Sequence, residues 1–136
     1  MPNNVSVKIT DNTDLVRRAT DAAIERGLEA AGITIEAYAK LQTPVDTGRL
    51  RNSITHATKT DRGKDTYIDD AGNTYEGGSA RGFPEEKTVY VGTNVEYAPY
   101  VEMGTTKTVA QPFLRPAATE HVDELKKLFE AELKKG

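Results

Sequence analysis

The chain has 136 residues, a hydrophobic fraction of 37 % and a formal net charge of −3 at pH 7. This length suits a single domain, residues 1–136, and the modest apolar content supports one small core that leaves surface for partners. The acidic balance argues against general nucleic-acid binding, which needs a basic face to neutralise phosphates. The absence of cysteine excludes disulfides, thiol nucleophiles and zinc–thiolate sites. We expect no membrane partner, because no apolar run approaches the roughly 20 residues that cross a bilayer, and no signal peptide.

The N-terminal third predicts a short arm followed by a long helix. Residues 1–13 alternate through Val5, Val7 and Ile9, which is typical of an arm or an edge strand. Residues 14–42 carry apolar side chains at helical spacing, and Thr43 and Pro44 end the pattern because proline pushes its predecessor out of the helical region.

Two glycines lie inside this predicted helix, Gly27 and Gly32. Each costs about 1 kcal/mol relative to alanine. They indicate either a weak or bent point or the close approach of another backbone, as in a packed ring.

The segment after the helix predicts one helical turn and then a strand. Asp46 or Thr47 can cap the turn, with Leu50 and Ile54 pointing inward and Arg49 and Arg51 pointing outward. Residues 54–59 alternate as a strand does.

Residues 60–87 are rich in glycine and charge, so we expect a flexible loop or an extended hairpin there. Because such a segment can order on a partner, its apolar and basic residues are the candidate partner-binding set. They are Tyr67, Ile68, Tyr75, Arg81 and Phe83. If this holds, deletion of residues 72–84 leaves a folded protein that has lost its partner contacts.

A β-branched strand over residues 88–93 precedes the most distinctive stretch, residues 97–117. Pro99 suits the start of a short helix and Gly104 its end. Pro112 and Pro116 suit the start of a longer helix that runs to Lys135. A helix that stops, a fixed loop and a helix that restarts form a shaped corner.

Signals for chemistry are poor, so we predict no enzyme, no catalytic residues, no metal site and no cofactor. His56 and His121 lack ligand spacing and are more often structural. Residues 104–108 lack the full spacing of a phosphate loop, and Ser53 has no visible base partner. Glu102 is interpreted either as a surface carboxylate or as a partner of Arg49, Arg51 or Arg115.

Three blocks of the sequence resemble a family of tailed-phage morphogenesis proteins, the small tail-completion or head–tail joining proteins of long-tailed phages and prophages. The blocks are TPVDTGRLRNSI at residues 43–54, YAPYVEMGT at residues 97–105 and QPFLRPA at residues 111–117, with Val91-Gly92 between the first two. The family's motif positions transfer as fold-shaping residues. They are Pro44, Thr47, Gly48, Leu50, Ser53, Ile54, Tyr97, Ala98, Val101, Glu102, Gly104, Thr105, Pro112, Phe113, Leu114 and Pro116.

The resemblance implies an α+β fold, in which a long N-terminal helix and a C-terminal helix pack on a small, mostly antiparallel sheet. It implies a structural protein of the virion neck, assembled in the host cytoplasm. The expected homo-oligomer is a ring, commonly hexameric, between the head-side connector or stopper and the tail tube or tail terminator. DNA is expected to pass through its lumen without specific binding.

Two alternatives remain at this point. One is a head-completion (stopper) or tail-terminator protein, and the other is a cytoplasmic binding protein unrelated to virions.

Overall fold

The computed structural model describes residues 20–59, 61, 63–77 and 87–135 in full and residues 5–10 as backbone. Local sequence decides most element boundaries: a polar cap, a proline or a glycine stands at several of them. The elements in chain order are β1 (Val5–Thr10), α1 (Asp21–Gln42), α2 (Arg49–Ser53), β2 (Thr55–Ala57), β3 (Thr66–Ile68), β4 (Thr74–Glu76), β5 (Thr88–Thr93), α3 (Ala98–Met103), α4 (Leu114–Thr119) and α5 (Val122–Lys134). The α+β class is confirmed.

The strands form two antiparallel sheets. The larger has the order β1-β5-β2, with Val7 and His56 both opposite Val91. The smaller is the hairpin β3–β4, in which Tyr67 lies opposite Tyr75. The central strand β5 is buried along most of its length, which explains its β-branched composition.

Helix α1 begins directly after an extended residue. Thr20 is extended, and its side chain accepts a hydrogen bond from the backbone N–H of Ala23, so this helix begins at Asp21. The part of the helix prediction that covers residues 14–19 lies outside the described residues. At the other end the helix stops at Gln42, as the Thr43-Pro44 pair predicts.

The two glycines of α1 lie where other elements press closely on it. A Cβ atom on Gly27 would clash with the Phe129 ring of α5, and one on Gly32 would meet His56 at 2.9 Å and Val89 at 3.0 Å. These glycines therefore permit other elements to approach α1 closely, and those elements belong to the same chain.

The C-terminal region is two helices, and the single long helix predicted from Pro112 to Lys135 is wrong. Helix α4 ends at Thr119 and α5 begins at Val122. Between them His121 leaves the helical conformation, and its ring stacks on the Tyr38 ring of α1. The two ring centres lie 3.6 Å apart, and the ring planes are inclined by 3°. This stacking, together with a hydrogen bond from the Tyr38 hydroxyl to Glu124, holds the break against α1.

The buried side chains form a large cluster and a smaller one. The large cluster joins α1, α2, the hairpin, β5 and the corner through Ile35, Ile54, Val91, Phe113 and Leu114. The smaller cluster joins the first half of α1 to α5. Within the described residues, no helix has the length and apolar character that crossing a membrane requires.

Candidate functional site

The first motif block is built around Gly48, which takes a φ of +81° at the start of α2. The predicted cap by Asp46 or Thr47 is wrong in position, because Gly48 occupies the cap and has no side chain to bond. Thr47 still contributes: its hydroxyl accepts from Arg49 N at 3.3 Å, and its carbonyl accepts from Asp70 N at 2.8 Å. A side chain at position 48 would clash with the Asp70 carboxyl group. Glycine is therefore required both for the positive φ and for the space beside Asp70.

The same block holds the β3–β4 hairpin. Arg51 donates to the Asp70 carboxylate at 2.6 Å, and Asn52 donates to the Ile68 carbonyl at 2.8 Å. Within the hairpin turn, the buried Asp69 accepts hydrogen bonds from the backbone and side chain of Asn73 and from the Tyr75 hydroxyl. These bonds hold the Asp69 pKa below its usual range. The hairpin is therefore an ordered part of the domain.

Arg49 joins the first block to the second. Its guanidinium group forms two hydrogen bonds of 3.0 Å with the Glu96 carboxylate and lies 4.4 Å from the Tyr75 ring centre and 5.7 Å from that of Tyr97. Burial opposes the charge on Arg49, but the hydrogen bond with Glu96 raises its pKa above the ordinary value. The predicted outward position is wrong: Arg49 is half-buried between the hairpin and the corner.

Glu102 closes the corner in a way that neither sequence interpretation anticipates. Its carboxylate accepts from the backbone N–H groups of Phe113, Leu114 and Arg115 at 3.0, 2.9 and 3.1 Å. Helix α4 has no cap from its own N-terminal residue, so a carboxylate from α3 satisfies the exposed donors. The Glu102 carboxylate of α3 therefore caps α4 and fixes the corner between the two helices. These hydrogen bonds involve backbone N–H groups and no arginine side chain.

The loop between α3 and α4 is closed by its own backbone. Gly104 ends α3 with a φ of +75°, and a Cβ atom there would meet Ala110 N at 2.7 Å. The Thr105 hydroxyl accepts from Lys107 N at 3.2 Å and from Thr108 N at 3.0 Å. These donors are already engaged, which agrees with rejecting a phosphate loop here.

The remaining motif residues divide between core and surface. Ala98 is buried with the core residues of the other blocks. The hydroxyl oxygens of Ser53 and Thr93 lie 2.5 Å apart. On the outside, a cleft of about 260 Å³ separates the first block from the corner. Its lining includes Pro44, Tyr97 and Val101. Of the other motif prolines, Pro112 is exposed and Pro116 is half-buried in the first turn of α4.

The candidate partner-binding set is only partly available. Tyr67 is 6 % exposed and belongs to the core, and Tyr75 is half-buried and stacked on it at 5.3 Å. The packing leaves little of the Tyr67 side chain for a partner, and a partner-binding role for Tyr75 stays a prediction. Ile68 is 54 % exposed, and Arg81 and Phe83 lie outside the described residues.

A cluster of ionisable groups that sequence reasoning missed surrounds His56 on β2. The Nε2 atom lies 2.5 Å from Glu29 and 3.4 Å from Asp61, and Nδ1 lies 3.1 Å from Glu36. Burial opposes the charged imidazole, but the hydrogen bonds with Glu36 and Glu29 raise the pKa of His56 to about 9. Helix packing brings these groups together from positions 20 and 27 residues apart, so no spacing signal exists.

Comparison with known proteins places the chain in a family. Residues 8–104 match the HK97-gp10-like family, described as "Bacteriophage HK97-gp10, putative tail-component". The match covers more than half of the chain, and the protein belongs to this family. It includes the first motif block and most of the second, whereas the third block lies beyond it. No curated protein and no solved structure matches the chain.

Proposed function

We propose that the protein is a tail-completion subunit that joins the phage head to the tail, packed as a ring at the neck. The family supports a structural tail component, and therefore a place in the virion. The ring, commonly hexameric, would lie between the head-side connector or stopper and the tail tube or terminator. Heterologous contacts that close under rotation generate such rings.

The observation that carries the proposal is the contrast between motif side chains that bond within the chain and exposed apolar side chains beside them. Arg49, Arg51 and Glu102 all bond within the chain. Next to them, Ile68 on the hairpin is 54 % exposed and Met103 on the corner is 71 % exposed. Rigid elements that present apolar side chains are suited to subunit contacts.

Catalysis is not part of the proposal. Ser53 is buried, and within the described part of the chain its hydroxyl bonds with the Leu50 carbonyl and the Thr93 hydroxyl, neither of which is a general base. A nucleophilic serine needs a base within hydrogen-bond reach. The net charge of −3 also suits a lumen through which DNA slides without sticking.

The test places a charge on each exposed side chain without disturbing the fold. Ile68→Glu and Met103→Glu are expected to give soluble, folded proteins whose phages accumulate full heads and complete tails that remain unjoined in electron micrographs. Val122→Glu is the matched control, because Val122 is 56 % exposed and lies on α5, outside both the hairpin and the corner. Normal joining by both test variants would contradict the proposal.

The deletion of residues 72–84 is not a suitable test. It removes β4 and with it the stacking of Tyr75 on Tyr67, so loss of joining would report loss of fold. Cross-linking in assembled particles is the direct measurement of neighbours. Links to a stopper and to a tube protein support the neck position, whereas absence of the protein from purified particles would overturn it.

A further inference from the structure

We propose that Glu29, His56 and Asp61 form a binding site for a divalent transition-metal cation of the zinc class. The Nε2 atom of His56 and one oxygen from each carboxylate lie within 4.8 Å of one another. One imidazole nitrogen and two carboxylate oxygens are a common three-ligand set, which leaves a position for water.

The Nε2 atom of His56 faces more acceptor groups than one hydrogen bond needs. This atom carries at most one hydrogen. Two carboxylates nevertheless converge on it, Glu29 at 2.5 Å and Asp61 at 3.4 Å. Ligand atoms of tetrahedral zinc lie roughly 3.3 Å apart, given bonds of about 2.0–2.1 Å. A cation at this point requires that the Glu29 oxygen move away from Nε2 by about 1 Å, whereas the Asp61 oxygen already lies at a suitable distance from Nε2.

The other ring nitrogen has the support that metal-binding histidines usually have. The Nδ1 atom of His56 lies 3.1 Å from Glu36, and Lys40 holds the Glu36 carboxylate at 3.0 Å. A carboxylate behind a ligating imidazole fixes the ring orientation and the position of its proton. With Nδ1–H donating to Glu36, the Nε2 lone pair points toward Glu29 and Asp61.

The site is also accessible. Glu29 and Asp61 line an open groove of about 520 Å³, together with Ile33 of α1 and Glu132 of α5. A cation can enter from this side, and water can complete its coordination. Bound there, it would fasten β2 and the turn that follows it to the middle of α1.

The experiment titrates Zn²⁺ into the full-length, EDTA-treated and desalted chain by isothermal calorimetry, with Co²⁺ absorption as a second reading of coordination. One cation per chain is expected, with an affinity that rises with pH because the imidazole must release its proton. His56→Gln and Asp61→Asn are expected to remove or strongly weaken binding. Glu36→Gln is expected to weaken it by about 10–100-fold through the positioning of the ring.

His121→Gln is the matched control, because His121 has one carboxylate, that of Glu124, at 3.9 Å. It is expected to leave Zn²⁺ affinity unchanged. Circular dichroism checks each variant, and if His56→Gln does not fold, Asp61→Asn decides. Absence of binding by the native chain, or equal binding by Asp61→Asn, would overturn the proposal and leave an imidazolium held by carboxylates.

Discussion

Arg49 and Glu96 form a two-point ion pair, with both nitrogen–oxygen distances at 3.0 Å. The pair joins helix α2 of the first motif block to the turn that begins the corner. Because Arg49 also lies over the Tyr75 ring, one side chain couples the block, the corner and the hairpin.

Replacement of Arg49 by lysine tests this coupling. Lysine keeps the charge but loses the two-point geometry and the planar contact with the rings. We expect Arg49→Lys to lower the free energy of unfolding by about 1 kcal/mol, the sum of a partly exposed ion pair and a cation–π contact. Urea denaturation measures it. Arg115→Lys is the control, since the Arg115 side chain is exposed and its backbone bond to Glu102 is retained.

The cap between Glu102 and α4 predicts a local effect as well as a global one. Glu102→Ala leaves three backbone donors without their acceptor, and we expect a loss of about 1–2 kcal/mol. Glu102→Gln retains one acceptor oxygen and should lose less. Hydrogen exchange should accelerate at Phe113, Leu114 and Arg115. An unchanged exchange rate at these amides would contradict the cap.

Gly48 and Gly72 form a matched pair for separating backbone strain from a side-chain clash. Both have positive φ, +81° and +90°. A Cβ at Gly48 would meet the Asp70 carboxyl group, whereas no atom of the described residues lies within 4 Å of a Cβ at Gly72. Gly72→Ala should cost about 1 kcal/mol from strain alone. Gly48→Ala should cost about 2–3 kcal/mol, the excess arising from Asp70.

The Asp70→Ala background provides the check on that assignment. Removing the Asp70 carboxyl group should bring the cost of Gly48→Ala close to that of Gly72→Ala. If the two costs still differ by more than about 1 kcal/mol in that background, the excess has another source.

Gly27 tests the packing of α1 on α5. Alanine is favoured over glycine inside a helix by about 1 kcal/mol, so a free surface would make Gly27→Ala stabilising. Because a Cβ atom would clash with the Phe129 ring, we expect Gly27→Ala to lower the melting temperature instead. The same substitution in a Phe129→Leu background should be tolerated better. A higher melting temperature for Gly27→Ala alone would contradict this expectation, because it would show that the Phe129 ring moves aside at little cost.

Local chemistry made several features predictable from sequence. Pro44 ends α1 and Gly104 ends α3 because each acts on its own backbone, and the composition of residues 88–93 predicts the central strand β5. Leu50 and Ile54 were placed inward by their spacing, and both are buried. The family resemblance rested on three short motif blocks, and the α+β class was inferred from that resemblance.

Only the tertiary structure decided which distant groups meet. Glu102 bonds to backbone amides that lie 11–13 residues further along the chain, and Tyr67 enters the core because α2 holds its hairpin. His56 faces Glu29 and Glu36 because α1 packs against β2 there, and Asp61 joins them from the turn after β2. Periodicity reports the conformation of one segment, whereas these contacts depend on how segments pack. The sequence therefore determined several helix and strand boundaries and the family, and the packing decided the C-terminal helix break, the capped corner, the ordered hairpin and the His56 cluster.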